Sequence, residues 1–399
     1  MKDGFRIIDS DLHVMEPSDI WEKRIDPAFR DRAPKFVGRK EGGTFGMPLE
    51  VEGKLYPNWY PKTPEGGQRD ARNYARLEVA RGSHPLAEGQ KSGFDAPSHL
   101  HALDIEGIDV AFLYPTAAHQ AQSIDGLDPH LSAAICRAYN DWLAEYCKYN
   151  PQRLVGVATL PLHDPHLAAD EARRATRELG LKAVIMRPNY INGHNLNDRY
   201  FDPLYAELER LGAPLALHEG AGAGHPTIAT QRFYGQVALV HAMTHPIEMM
   251  MGSASLLYGG VLERFPKLKV AFLESGSSWM PYWLYRLDEH LEVWGDKDAW
   301  VIPNRPSEYF KRQCFIACDS DEKQVKYVVE DLGDDNILFS SDYPHPDSPY
   351  PFAVQQFLAL PGLDRQSKKK ILWDNAVRFY GMEPGEHGLA KSSKKLGLA

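Results

Sequence analysis

Ile7-Ile8-Asp9-Ser10-Asp11-Leu12-His13 opens the first apolar run of the chain. Residues two apart on a strand share a face, so the alternation predicts Asp9, Asp11 and His13 on one side of a strand. Two carboxylates and an imidazole placed together beside apolar neighbours repel and desolvate one another unless a cation lies between them. The run therefore reads as one rim of a metal site. The plainer alternative is an N-terminal edge strand whose polar groups are solvated.

Seven further β-branched or aliphatic runs follow: 110–116, 154–162, 182–188, 214–218, 269–274, 314–318 and 337–342. Between most of them lie segments with apolar residues at helical spacing, at 167–179, 203–211, 247–265 and 322–332. Strand–helix alternation means a parallel sheet. Eight repeats predict an α/β chain closed into a (β/α)8 TIM-like barrel over residues 1–383, with a doubly wound open sheet as the alternative. Residues 26–100 break the rhythm with Glu41-Gly42-Gly43, Tyr60-Pro61-Lys62-Thr63-Pro64 and Glu65-Gly66-Gly67. Such a long insertion after the first strand reads as a cap or an oligomer arm. Residues 384–399 read as a frayed C-terminal tail.

Composition narrows the function classes. The chain has 399 residues, 43% hydrophobic and 25% charged, with a net charge of −9. The acidic balance argues against a nucleic-acid binder. No apolar run reaches the roughly 18 residues of a membrane span, and the first residues lack the apolar stretch of a signal peptide. Cys136, Cys147, Cys314 and Cys318 show no Cys-x-x-Cys spacing and read as core thiols. A cytoplasmic protein is expected.

In a barrel, reactive groups lie at the C-terminal ends of the strands. The first strand ends at Asp11 and His13, the fifth at His218, the sixth at Glu274 and the eighth at Asp342. Singly, His218 could be a satisfied core histidine and Asp342 a helix N-cap. Jointly they predict one mouth whose two imidazoles and two carboxylates suit one divalent metal, Zn first and Mn next. Arg187, closing the fourth strand, could grip a substrate carboxylate or form a salt bridge inside the barrel. His119 and His345 sit on loops, facing substrate or solvent. His245, in Thr244-His245-Pro246, is read as opening a helix, where the dipole disfavours imidazolium. Its alternative is a helix-start histidine bonded to backbone. The Gly220–Gly224 stretch reads as a mobile lid segment, and Trp279, Tyr282, Trp283 and Tyr285 as core or interface.

Asp9–His13 with Glu16-Pro17, Leu217-His218-Glu219, the Arg264–Lys269 turn and Ser341-Asp342-Tyr343-Pro344-His345-Pro346 together resemble the amidohydrolase superfamily, in its branch of metal-dependent decarboxylases. The resemblance implies that Asp11, His13, His218 and Asp342 are metal ligands, with Asp11 standing where relatives carry Glu or His. It implies that Asp9 orients a ligand or the strand. It also implies a small carboxylated substrate and a homo-oligomer. One departure stands out: relatives end strand six in a histidine that is their acid/base, whereas this chain has Glu274-Ser275-Gly276. Glu274, with His245 as a relay, is the expected replacement. The expected activity is a lyase removing carbon dioxide from an aromatic or unsaturated acid. The alternatives are a hydrolase in which Asp342 takes the proton of a metal-bound water, a hydratase, and a non-catalytic binding protein.

Overall fold

The computed structural model describes residues 1–37, 48–56, 86–220, 227–233, 235–298, 302–345 and 347–382. The proposed tail and much of the 26–100 insertion lie outside these residues, as does most of the Gly220–Gly224 lid.

All eight expected strands form. They are β1 (Ile8–Val14), β2 (Val110–Pro115), β3 (Leu154–Thr159), β4 (Ala183–Met186), β5 (Leu215–Leu217), β6 (Val270–Phe272), β7 (Cys314–Asp319) and β8 (Ile337–Ser340). They pair in parallel in chain order. β8 returns to β1 just beyond the regular ladder, where Asp342 N donates to Asp11 O at 3.1 Å and His13 N donates to Tyr343 O at 2.7 Å. The result is a nearly closed (β/α)8 barrel. Its seam runs through residues carrying three of the expected metal donors.

Alternation sorts the core into two layers. Val110, Phe112 and Tyr114 of β2 join Val155, Val157, Ile185, Ala216, Ala271 and Leu338 inside the barrel. Ala111 and Leu113 face outward and pack with the helices. The C-terminal helix Asn375–Tyr380 adds Phe379 and Tyr380 to the inner layer. The Tyr380 hydroxyl meets Tyr114 Oη at 3.0 Å and donates to Ser10 O at 3.1 Å.

Register in β1 departs from expectation. Asp9 lies opposite Ala111 and Leu12 opposite Leu113, so β1 spends one residue more than β2 over this interval. One extra residue exchanges the two faces. Asp9 therefore falls opposite the outward-facing Ala111, whereas His13 falls opposite the inward-facing Tyr114. The expectation that Asp9, Asp11 and His13 share one face is corrected by this bulge. Asp9 instead accepts from Asp11 N at 3.2 Å and Ser341 N at 3.3 Å, tying β1 to β8.

Within the insertion, Lys35–Phe36, Leu49–Val51 and Lys54–Tyr56 form a small antiparallel sheet. Just past β1, buried Glu16 accepts from Thr116 N, Ala117 N and Ala118 N at 3.1, 3.0 and 2.9 Å, fixing the loop that leads to His119. Glu16→Ala strands these donors. We expect a loss of roughly 2–4 kcal/mol, since each unmet buried group costs about 1–3 kcal/mol. Denaturant unfolding of the two proteins checks it; an unchanged midpoint would remove the anchoring role.

Candidate metal centre

Four strand ends bring five such residues into a connected cluster at one mouth, in which Asp11, His13 and His218 form one group and Asp342 joins through His13. Asp11 and His13 come from β1, and His218 follows β5 directly. Glu274 and Asp342 each stand two residues past their strands, β6 and β8. His13 Nε2 lies 3.4 Å from Asp11 Oδ1 and 3.3 Å from Asp342 Oδ1. His218 Nε2 lies 3.3 Å from Asp11 Oδ1, 3.1 Å from His13 Nε2 and 3.1 Å from Glu274 Oε2. A zinc-like ion at about 2.0–2.2 Å from each ligand places tetrahedral donors about 3.3–3.6 Å apart. The contacts of Asp11 with both imidazoles and of His13 with Asp342, at 3.3–3.4 Å, fall in that range, and the two 3.1 Å contacts of His218 lie just under it.

The chemistry of the donors passes the same test. His13 Nδ1 sits 3.0 Å from Pro115 O, which fixes its proton there and leaves Nε2 as a lone pair facing the cluster. Asp11 is wholly buried, and both its carboxylate oxygens lack a hydrogen-bond partner. Buried charges of this kind persist where they are paired or coordinate a metal. Burial pushes Asp11 up, but the imidazoles of His218 and His13 more than reverse it and hold the carboxyl well below its usual range. Glu274 and Asp342 are driven well above theirs, by burial first and then by neighbouring carboxylates. The group can hold a divalent cation.

Backbone strain coincides with the donors. Glu274 has φ +48° and Asp342 φ +56°, in the left-handed region that residues other than glycine seldom occupy. Both residues turn their side chains at the strand ends where the cluster sits. Strained backbone concentrates at functional sites.

His345 stacks on His13 with ring centroids 4.1 Å apart. Its Nδ1 is 2.8 Å from Asp342 Oδ1, and its Nε2 is 3.1 Å from Thr116 Oγ1. It therefore braces His13 and Asp342 from a buried position. His119 is buried too, with neither ring nitrogen hydrogen-bonded, and its ring centroid lies 6.1 Å from that of His218. A Cβ at Gly220 would stand 2.1 Å from His119 Nε2. Gly220→Ala is thus expected to displace His119 and raise KM about tenfold, a loss of about 1.4 kcal/mol, with metal content unchanged. Steady-state kinetics and metal analysis on the same sample test this.

Arg187 is completely buried. It pairs with Glu219 and donates from Nε to Asn189 Oδ1 at 2.9 Å. The internal ion pair weighed against a substrate contact is the one the structure contains.

His245 requires a correction. It does not open a helix: it lies in the middle of Val237–Leu257, which runs through Pro246. The residue before proline usually leaves the helical region, which is why Thr244-His245-Pro246 read as a helix start. The dipole argument therefore lapses. Burial instead holds His245 neutral, with its pKa down at about 3, and its Nδ1 stands 3.6 Å from Glu274 Oε2.

A cavity of about 370 Å³ opens beside the cluster, lined by His241, His245, Glu274, Asp319, Asp342 and Asp347 among others. Sequence reasoning missed His241, although its position four residues before His245 on one helix face was a usable signal. Of the aromatic segment, Trp279 and Trp283 pack against the core while Tyr282 and Tyr285 are exposed.

A family model described as Amidohydrolase matches residues 8–382. The chain belongs to the amidohydrolase family. It is an enzyme of that family, and relatives of this amidohydrolase include decarboxylases. The 2-amino-3-carboxymuconate-6-semialdehyde decarboxylase of Dictyostelium discoideum is 27% identical over 297 residues, covering 74% of this chain and 79% of that protein. Solved structures share the fold. An amidohydrolase from Mycobacterium avium subsp. paratuberculosis superposes with a TM-score of 0.73 at 23% identity, covering 95% of this chain and 100% of its own. A dihydroxybenzoic acid decarboxylase from Polaromonas sp. JS666, solved with bound manganese and the inhibitor 2-nitroresorcinol, gives 0.61 at 23%, covering 77% and 93%. Among the described residues no helix is long and apolar enough to cross a membrane.

Proposed function

We propose that this amidohydrolase is a metal-dependent lyase that removes carbon dioxide from a carboxylated aromatic or unsaturated acid. The cluster of Asp11, His13 and His218 at 3.1–3.4 Å, joined by Asp342 through its 3.3 Å contact with His13, carries the reading. In it, these four residues hold one divalent ion, Zn2+ first and Mn2+ next. The bound ion supplies a template and Lewis acid for the substrate's oxygens.

Glu274 faces the cluster from the end of β6 and serves as the acid. Its carboxyl proton goes to the ring carbon that bears the substrate carboxylate. The bond from that carbon to the carboxylate breaks, its electron pair stays with the ring, and carbon dioxide leaves. Solvent then returns a proton to the Glu274 carboxylate. Neutral His245 accepts and relays that proton. His345 and His119 line the substrate side. Four buried free cysteines support a reducing, cytoplasmic setting, and a homo-oligomer completes the reading.

Glu274 in place of a histidine at this strand end is the observation that favours the second reading, hydrolysis of an amide, ester or lactone. There Asp342 accepts the proton of the attacking water. The deciding experiment incubates the Zn2+- or Mn2+-loaded enzyme with hydroxybenzoates and with amides, following headspace carbon dioxide and product mass. Carbon dioxide with loss of 44 Da, the mass of that molecule released in the step above, supports decarboxylation; gain of water without gas replaces it with hydrolysis.

A further inference from the structure

Proline removes one rung of a helix, because its nitrogen has no hydrogen to donate one turn back. Pro246 does this inside Val237–Leu257, directly beside His245. A helix weakened there needs an outside hold if His245 Nδ1 is to stay 3.6 Å from Glu274 Oε2. The structure contains one. Glu248, one turn after His245, accepts at Oε2 from Asn189 Nδ2 at 2.8 Å. Asn189 Oδ1 in turn accepts from Arg187 Nε at 2.9 Å, and Arg187 pairs with Glu219. None of these four side chains is more than 5% exposed. Arg187 directly follows β4, and Glu219 follows His218 past the end of β5. The chain of contacts therefore runs from the helix to two strand ends of the barrel. The helix backbone is pressed onto the same loop: a Cβ at Gly252 would come within 2.7 Å of Pro188 Cβ and 3.1 Å of Pro188 O. Buried charges are costly unless they are paired, and the proposed step uses none of these groups.

We propose that Glu248, Asn189, Arg187 and Glu219 form a buried clamp that seats the helix at Pro246 and so positions His245 against Glu274. This deepens the proposed function and rests on its reading of His245 as the relay. The four are positioning residues, acting through His245. Burial is the first cause of the neutral state of His245, while Glu219 pulls its pKa up and Arg187 pushes it down. As an intact pair the two charges act on the relay in opposite directions.

The test uses metal-loaded full-length protein and has two arms. In hydrogen exchange followed by mass spectrometry, which needs no substrate, peptides covering residues 241–250 should exchange about tenfold faster in Glu248→Ala. In the carbon dioxide assay with hydroxybenzoates, the same variant should lose about 100-fold in kcat, the cost of a displacement of about 1 Å, with KM and metal content kept. Glu248→Gln, whose Oε1 can still accept from Asn189, should recover both. Asn189→Ala cuts the same chain at a smaller side chain and should repeat the Glu248→Ala result. Adding Glu248→Ala to His245→Ala should slow turnover no further, because residues acting through one group are not additive. Wild-type exchange in both Glu248→Ala and Asn189→Ala overturns the clamp and leaves the relay standing. Additive loss in the double variant overturns the positioning role. Wild-type carbon dioxide release by His245→Ala removes the relay itself, and this proposal with it.

Discussion

Asp11→Asn is expected to abolish turnover, cut divalent-metal affinity at least about 100-fold, and yet leave the metal-free protein as stable as the wild type. Loss even of a residue that only supports a ligand costs roughly 10–100-fold in affinity, so loss of a charged ligand at the centre of the donor set sits at or beyond that limit. The side chain is wholly buried, with both oxygens unpartnered and two imidazole nitrogens 3.3–3.4 Å away. Asparagine keeps the shape and removes a buried carboxylate whose two oxygens have no hydrogen-bond partner, so its desolvation cost is removed together with the attraction of the two imidazoles. The two proteins should therefore match in chelator and separate on metal addition. At an ion concentration 100-fold above Kd the wild type gains about 2.7 kcal/mol; the variant gains almost nothing. Thermal unfolding with and without Mn2+ reads both halves. An Asp11→Asn protein that unfolds early in chelator, or is stabilised by metal as the wild type is, would place Asp11 in the core and outside the metal centre.

Glu274→Gln is expected to lower kcat by about 10²–10⁴, the range of a positioned general acid, while the metal ion stays bound. Glutamine fills the same space at the end of β6 but cannot give up a carboxyl proton. Because Asp11, His13 and His218 remain in mutual contact and Asp342 still meets His13, metal analysis should still find an ion in that group. A variant that loses kcat and all metal together would make Glu274 structural to the metal centre. A variant with normal kcat would leave proton delivery to another group.

Much of this was legible in the chain before any coordinates. Short β-branched and aliphatic runs alternating with helical segments mark barrel strands, and a barrel gathers the C-terminal ends of its strands at one mouth. Asp11, His13, His218, Glu274 and Asp342 could therefore be grouped although 331 residues separate the first from the last. Local exceptions were not legible. The extra residue in β1 that moves Asp9 off the shared face depends on pairing with β2, about 100 residues away. Pro246 signals a helix end by its own sterics, but the surrounding helix persists through it. The fate of Arg187 depended on Glu219 lying across two neighbouring strand ends. Each is a tertiary fact with no local sequence signature.

The left-handed turns at Glu274 and Asp342 bear on how this enzyme can evolve. Each such conformation costs an ordinary L-residue roughly 1–2 kcal/mol, and glycine there would relieve it. Selection for thermal robustness alone would therefore drift these two codons toward glycine, and with them would go the carboxylates. A library screened only for surviving heat should enrich inactive barrels at these positions. Under the proposed function, an acid held at each position at that cost marks turnover kept in preference to endurance.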